Sequence, residues 1–369
     1  RKALEEFAEL SGDPANPMHR RTFLHALAAA PLAWSLPALK SLVGTAPMGV
    51  VVHSYGKRFR SDYASEKHPP FRDAMDLLRH CHALGAGGVQ VGLRDWTKAF
   101  AGQVRDLREE LGMYLEGSIR LPETEAEIPA FEAQLRRAKE AGATVVRTVC
   151  LGGRRYETFS TLEEFQNFKT RSLRSLEWAE PIVRKHRIRL AVENHKDWRV
   201  PELTAILQHL SSEWIGVTLD FGNSISLLED PLTTTRGLAP YVFSTHVKDM
   251  GVREYDDGFL LSEVPLGQGL CDLPQMVALC QAHNPDIRFN LEMITRDPLQ
   301  VPCLTDRYWA TFEGLSGAAL AKTLQLVRHH AYPEALPTVS QLDVERQLAA
   351  EEANVRACLA YSKAQLGLQ

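Results

Sequence analysis

Eight short runs rich in Val, Ile and Leu punctuate this chain, with longer stretches of helical period between them, and no other feature restricts the fold as much. The runs are residues 48–54, 88–92, 113–118, 144–150, 188–193, 215–220, 242–246 and 287–292. Short, mostly apolar runs of this kind suit strands buried on both faces, as in a parallel sheet. Between them, Ile128, Phe131, Leu135 and Ala138 step by three and four and so line one helical face, as do Leu203, Leu207 and Leu210. Glycine stops at 85–87, Gly112 and Gly142 stand just before strands, where helices commonly end in a left-handed residue. Parallel strands need a crossover between them, usually a helix. Strand–helix alternation repeated eight times over about 250 residues is the arithmetic of a (β/α)8 barrel, an α/β fold. A doubly wound open sheet is the competing class. It calls for a Gly-rich phosphate turn after the first strand, and here that turn reads His53-Ser54-Tyr55-Gly56.

The barrel occupies residues 47–330, flanked by two further pieces. In residues 1–46, Arg20-Arg21 followed by Phe23-Leu24 stands directly before an Ala-rich apolar stretch at 26–39. A basic start and a short apolar run make a signal peptide, and the paired arginines resemble the twin-arginine export signal. The expectation is export to the periplasm, or a cytoplasmic protein if residues 19–39 are an amphipathic helix instead. Residues 331–369 read as a C-terminal helical extension, with Val344, Leu348, Val355 and Leu359 on one face. This tail is expected to supply the eighth helix and either a cap or a subunit contact, which leaves a homo-oligomer open. Residues 295–312 read as a loop over the barrel mouth.

Composition narrows the partners. With 42 Lys and Arg against 46 Asp and Glu, the formal charge is −4, so no nucleic acid is expected, since backbone binding usually needs a basic excess. No apolar run reaches the roughly 18 residues of a bilayer span. The six cysteines form no CxxC pair and read as small buried apolar residues rather than a zinc ribbon or a disulfide framework.

Four of the runs close on a group able to bind a metal: Glu193, Asp220, His246 and Glu292. In a barrel all strand C-termini converge on one face, where active sites sit. Strands five to eight are neighbours, so the four groups can meet around one ion. Any one of them alone reads as a strand-end residue bonded to a loop. Three buried carboxylates would repel one another, and a divalent cation resolves both that repulsion and the cost of burying charge. The set is hard and oxygen-rich, which favours Mn²⁺, with Mg²⁺, Co²⁺ or Zn²⁺ as alternatives. His195 and Lys248 each follow a ligand by two residues, on the same side of a continuing extended chain, and are candidate substrate contacts. Alternatively, His195 bonds to a loop and Lys248 pairs with Asp249 at the surface. Glu116 and Arg147, near the ends of strands three and four, can reach the substrate or form a structural ion pair. His53 reads as a packed polar residue. Trp96 and Trp198 either stack on a sugar or pack helix against barrel. Gly267-Gln268-Gly269 reads as a tight turn into the seventh helix.

Glu-Asn-His after strand five, Leu-Asp-x-Gly-Asn after strand six, His-Val-Lys-Asp after strand seven, Pro-Leu-Gly-Gln-Gly before helix seven and the Glu closing strand eight resemble the xylose-isomerase-like barrel superfamily. More narrowly, they resemble its sugar phosphate isomerase/epimerase group, related to ketose 3-epimerases and inosose dehydratases. The resemblance covers roughly residues 48–295. It implies that Glu193, Asp220, His246 and Glu292 bind one divalent metal, and that Glu193 and Glu292 double as acid and base. One departure matters: several sugar epimerases carry His three residues after the strand-six Asp, where this chain has Asn223. An amide can bond to a substrate hydroxyl but cannot move protons.

The expected chemistry is proton abstraction next to a metal-polarised carbonyl on a sugar or sugar derivative. Isomerisation or epimerisation leads. A lyase that expels a β-hydroxyl or β-glycosyl group shares the first step. An apurinic-site endonuclease shares the barrel but gathers several zinc ions and more histidines, and a non-catalytic sugar-binding module completes the alternatives.

Overall fold

A computed structural model describes residues 48–59 and 61–368. The expected export signal at 1–46 lies outside the described residues. Strands β1 (Met48–Val51), β2 (Gly88–Gly92), β3 (Tyr114–Ser118), β4 (Val145–Thr148), β5 (Arg189–Glu193), β6 (Ile215–Asp220) and β7 (Val242–Val247) run in parallel. They form a closed barrel with a further strand, β10 (Phe289–Leu291), in the order β1-β10-β7-β6-β5-β4-β3-β2. The fold is the (β/α)8 barrel that the alternation predicts.

The crossover helices form where the sequence marks them. Helices α1 (Ala74–Ala83) and α2 (Lys98–Glu110) start on Asp73 and Thr97, whose side chains accept backbone N–H groups of the first turn. Helix α3 (Ile128–Glu140) carries Pro at its start and buries Phe131, Leu135 and Ala138. Helix α4 (Leu162–His186) opens on a Thr161/Glu164 capping box. Helices α5 (Val200–Leu210), α6 (Pro231–Leu238) and α7 (Leu273–His283) complete the central part of the ring.

The stretch between β7 and α7 departs from expectation. Instead of a plain loop it holds a hairpin, β8 (Asp249–Tyr255) and β9 (Gly258–Val264), joined antiparallel by β11 (Leu299–Val301) from the stretch expected to be irregular. The alternation that marks such a sheet is present: Val252, Phe259, Leu261, Leu299 and Val301 are buried, whereas Arg253 and Gln300 are exposed. These side chains join Tyr156, Tyr308 and helix α8 (Gly317–His329) in a second core, separate from that of the barrel. Helix α9 (Val344–Tyr361) belongs to the first core instead, through Val355 and Cys358. Its Glu352 pairs with Arg58 at 3.2 Å and its Glu351 accepts the backbone N–H of Lys57 and Arg58, tying the tail to the loop after β1. All six cysteines are free thiols, and Cys81, Cys280, Cys303 and Cys358 are buried.

Candidate metal centre

Parallel pairing fixes where the four strand-end groups stand. Asp220 lies level with His246 across β6 and β7, His246 lies level with Asn290 across β7 and β10, and Glu193 closes β5. Glu193, Asp220, His246 and Glu292 each offer one ligand atom within 4.8 Å of the other three, and all four residues are buried.

Each is held by neighbouring groups, and in His246 and Asp220 one ligand atom is left without a hydrogen bond. His246 Nε2 donates to Gln90 Oε1 at 2.7 Å, which leaves the Nδ1 lone pair facing inward. Nδ1 lies 3.4 Å from Glu292, 3.6 Å from Glu193 and 3.8 Å from Asp220, and makes no hydrogen bond. Asp220 Oδ1 accepts the backbone N–H groups of Gly222 and Asn223 at 2.9 and 2.8 Å. Its Oδ2 is buried with no hydrogen bond and faces the Lys248 ammonium 2.8 Å away. The same ammonium lies 2.5 Å from Glu292 Oε2. Glu193 takes Arg147 Nε at 2.6 Å and Asn223 Nδ2 at 3.1 Å, and Glu292 takes His53 Nδ1 at 2.9 Å.

These contacts set the charges. Burial opposes ionisation of Glu193, but Arg147 and His246 overcome it and hold the carboxyl well below the usual range. Lys248 and His246 do the same for Glu292. Burial pushes Asp220 up, and the two glutamates add to the push against Lys248. His246, also penalised by burial, is nevertheless raised to about 9 by Glu292 and Glu193. Lys248 is held above its ordinary value by Asp220 and Glu292 despite its burial. Three inward carboxylates, an unpartnered imidazole nitrogen and a lysine drawn in among them make a donor set that fits a divalent cation.

The other expected site residues fall in different places. Lys248 is not at the surface: it points into the centre, while Asp249 is taken by the backbone N–H groups of Met250, Gly267, Gly269 and Cys271 at 2.9–3.0 Å. Gly267 turns at φ +85°, and a Cβ on Gly269 would meet Asp249 Oδ1 at 2.2 Å, so the Gly-Gln-Gly turn cradles a carboxylate of the protein itself. Asn223 is placed to support a ligand, with its amide on Glu193 and its oxygen on Lys196. Arg147 braces the same ligand from β4, with Nη1 on Ser118 Oγ at 3.1 Å. His195 stands beside the centre with Nδ1 buried and unbonded, and burial together with Lys196 lowers its pKa to about 3, so the ring is neutral.

Glu116, expected either to reach the substrate or to form a structural ion pair, is engaged with polar side chains of the barrel. It lies inside the barrel, fully buried, accepting from Gln90 at 3.1 Å, Ser244 at 2.6 Å and Asn290 at 3.0 Å. Through Gln90 it supports His246 at one remove. Trp198 is also core, stacked on Phe168 with centroids 5.0 Å apart. Sequence reasoning missed Gln90 and Asn194, and undervalued His53. Gln90 is a polar residue inside an apolar run, a signal that was available. Asn194 locks β5 to β6 by donating to the Asp220 carbonyl at 3.0 Å and accepting its N–H at 2.7 Å.

Over the ends of β2 to β4 opens a cavity of about 680 Å³, whose lining includes Arg94, Trp96, Ser118, Arg120, Arg137 and Arg147. A smaller one of about 290 Å³ shares Gly92, Arg94 and Ser118 with it and reaches His53 and Gln90. The cavities and the candidate metal centre therefore adjoin at Arg147 and His53.

The family described as Xylose isomerase-like TIM barrel matches residues 78–310, well over half of the chain. Among solved structures, a D-psicose 3-epimerase crystallised with D-fructose superposes with a TM-score of 0.57 at 15% identity, covering 87% of this chain and 99% of that one. An L-ribulose 3-epimerase gives 0.52 at 13% identity, covering 87% and 98%. At such identity the likeness is one of fold. Among curated proteins, a 3-oxo-isoapionate decarboxylase of Pectobacterium atrosepticum is 29% identical over 110 residues, 29% of this chain. An uncharacterized protein of Escherichia coli, YihM, is 28% identical over 83 residues, 22% of this chain. The matched regions span 39% and 25% of those relatives' own lengths.

Proposed function

This chain belongs to the xylose isomerase-like TIM barrel family, and from that premise we propose that it is a divalent-metal-dependent sugar isomerase or epimerase. The observation that carries the reading is the unpartnered His246 Nδ1 facing three carboxylates that converge from adjacent barrel strands. Glu193, Asp220, His246 and Glu292 would hold the ion, Mn²⁺ by preference. When bound, it supplies Lewis-acid polarisation of a substrate carbonyl, which acidifies the adjacent C–H.

The protein's own groups do the rest. Glu193 and Glu292 stand at the two ends of the four-strand arc, on β5 and just beyond β10, so a sugar bound between them meets a carboxylate from each end. One removes the proton next to the carbonyl and the other returns one, at the same carbon in epimerisation or at the neighbouring carbon in isomerisation. Arg147 and Asn223 orient Glu193, and His53 and Lys248 orient Glu292. His53 is half exposed at the mouth and so connects Glu292 with solvent for proton exchange.

A lyase is the second reading, and Asn223 favours it. No histidine flanks Glu193 from that position, and the amide that does cannot exchange protons. Expulsion of a leaving group after one proton is removed, or loss of carbon dioxide, the reaction named for the partly matching Pectobacterium protein, needs no second proton transfer through that position.

Deuterium wash-in from D2O across a panel of ketoses, inososes and 3-keto-glycosides tests the proposal. The expected result is exchange at one carbon next to the carbonyl, abolished by EDTA and restored by Mn²⁺. Absence of exchange from every member of the panel would overturn proton abstraction.

A further inference from the structure

The arginines that line the larger cavity point to the class of substrate. Arg94 follows β2, Arg120 follows β3, Arg147 lies on β4 and Arg137 on α3, so four separate elements each contribute an arginine to the lining of one space. They differ in what answers them. Arg147 is spent on Glu193, and Arg120 pairs with Glu123 at 2.6 Å. Among the described residues, Arg94 and Arg137 have neither an ion-pair nor a hydrogen-bond partner for the guanidinium, although Arg137 is half-buried. Of the lining acids, Glu127 is engaged by the backbone N–H groups of Glu123 and Thr124 at 2.7 and 3.3 Å. Asp95 and Glu127 are the lining carboxylates, and neither is within ion-pair or hydrogen-bond reach of the Arg94 or Arg137 guanidinium among the described residues.

Resting on the proton-abstraction reading above, we propose that Arg94 and Arg137 bind an anionic terminus of the substrate, a carboxylate or a phosphate ester, while its carbonyl end lies at the metal centre. The planar guanidinium is matched to both groups and grips them with paired N–H bonds. A neutral ketose would leave these guanidinium groups facing water, so it would gain nothing from this part of the cavity. Arg147 joins the two subsites: its fork is shared between Glu193 and the cavity wall, which sets the reacting end relative to the charged end.

Three unreactive polyols of one carbon skeleton test this by calorimetric titration into Mn²⁺-loaded protein: neutral D-glucitol, D-gluconate and D-glucitol 6-phosphate. At least one anion is expected to bind roughly tenfold or more tighter than D-glucitol, the usual scale for a charge-assisted pair. Whichever anion gains more identifies the group. In the double variant Arg94→Gln, Arg137→Gln the preference should shrink to within about twofold, with D-glucitol binding unchanged as the measure of an intact fold. Equal binding of all three polyols overturns the proposal, as does failure of both anions to bind. So does a preference that survives in the double variant, since the metal rather than the arginines would then hold the anion. The readout needs no turnover. A protein that prefers anions but exchanges no deuterium would sink the reaction and spare this subsite, and the converse result would do the opposite.

Discussion

On the side of the mouth formed by β5, β6, β7 and β10, the inward charges at the strand ends meet other protein groups, and the antiparallel sheet of β8, β9 and β11 builds a second core beside them. Beyond the ends of β1 to β4 there is open space, with the Arg94 and Arg137 guanidinium groups that nothing among the described residues answers. The first side can hold an ion and fix two carboxylates; the second can receive a varied substrate. Arg147 and Gln90 cross between them, since both lie on the open side and bond to ligands on the closed one. On the proposed function, the barrel separates reaction from recognition by assigning them to different strands.

The comparison breaks most readily at His246. Its Nδ1 is the one uncharged donor in the set, and His246→Ala is expected to weaken Mn²⁺ binding by more than about 100-fold, beyond the loss typical of outer supports. Circular dichroism should still show a folded barrel, because His246 belongs to neither apolar core. Full metal retention in the purified variant would mean that the closed side does not depend on this ligand.

Gln90→Leu sharpens the same point from across the barrel. It leaves all four ligands in place but removes the acceptor that fixes the imidazole, so affinity should fall about 10–100-fold. An unchanged dissociation constant would reduce Gln90 to packing and detach the open side from the metal centre.

How much of this could be read from the residues depended on range. The eight barrel strands were legible because an apolar run is a local signal, and the four inward groups because each closes such a run. The hairpin at 249–264 was hidden: its alternation falls in a stretch where the eight-unit pattern already supplied an account. Glu116 was hard to place for a related reason. Its place near a strand end suggested the mouth, although the run 113–118 already put two residues beyond it, and in the structure it stands opposite Gln90. Lys248 shows the limit most clearly. Two neighbours of opposite charge invite a surface pair, and only the fold reveals that Asp249 is surrounded by backbone N–H groups while the lysine turns inward.

The smallest expected effect separates the two regions by stability alone, using one glycine from each. Gly269 lies in the turn around Asp249, where a Cβ would come within 2.2 Å of Oδ1 and 2.6 Å of the Met250 nitrogen. Backbone cannot step aside as a side-chain tip can, so Gly269→Ala is expected to cost about 1–3 kcal/mol, the scale of an overpacked site. Gly92 ends β2 beside the cavity, has ordinary φ and has nothing within 4 Å of its would-be Cβ. Gly92→Ala should therefore stay within about 0.5 kcal/mol of the parent, since the added methyl meets no atom and the chain loses some freedom when unfolded. Thermal unfolding of the metal-free proteins checks the pair, with the Gly269 variant melting several degrees lower and the Gly92 variant close to the parent. Equal losses from both would mean that the β1–β4 rim is packed as tightly as the Asp249 turn, and the contrast between a closed and an open side would no longer hold.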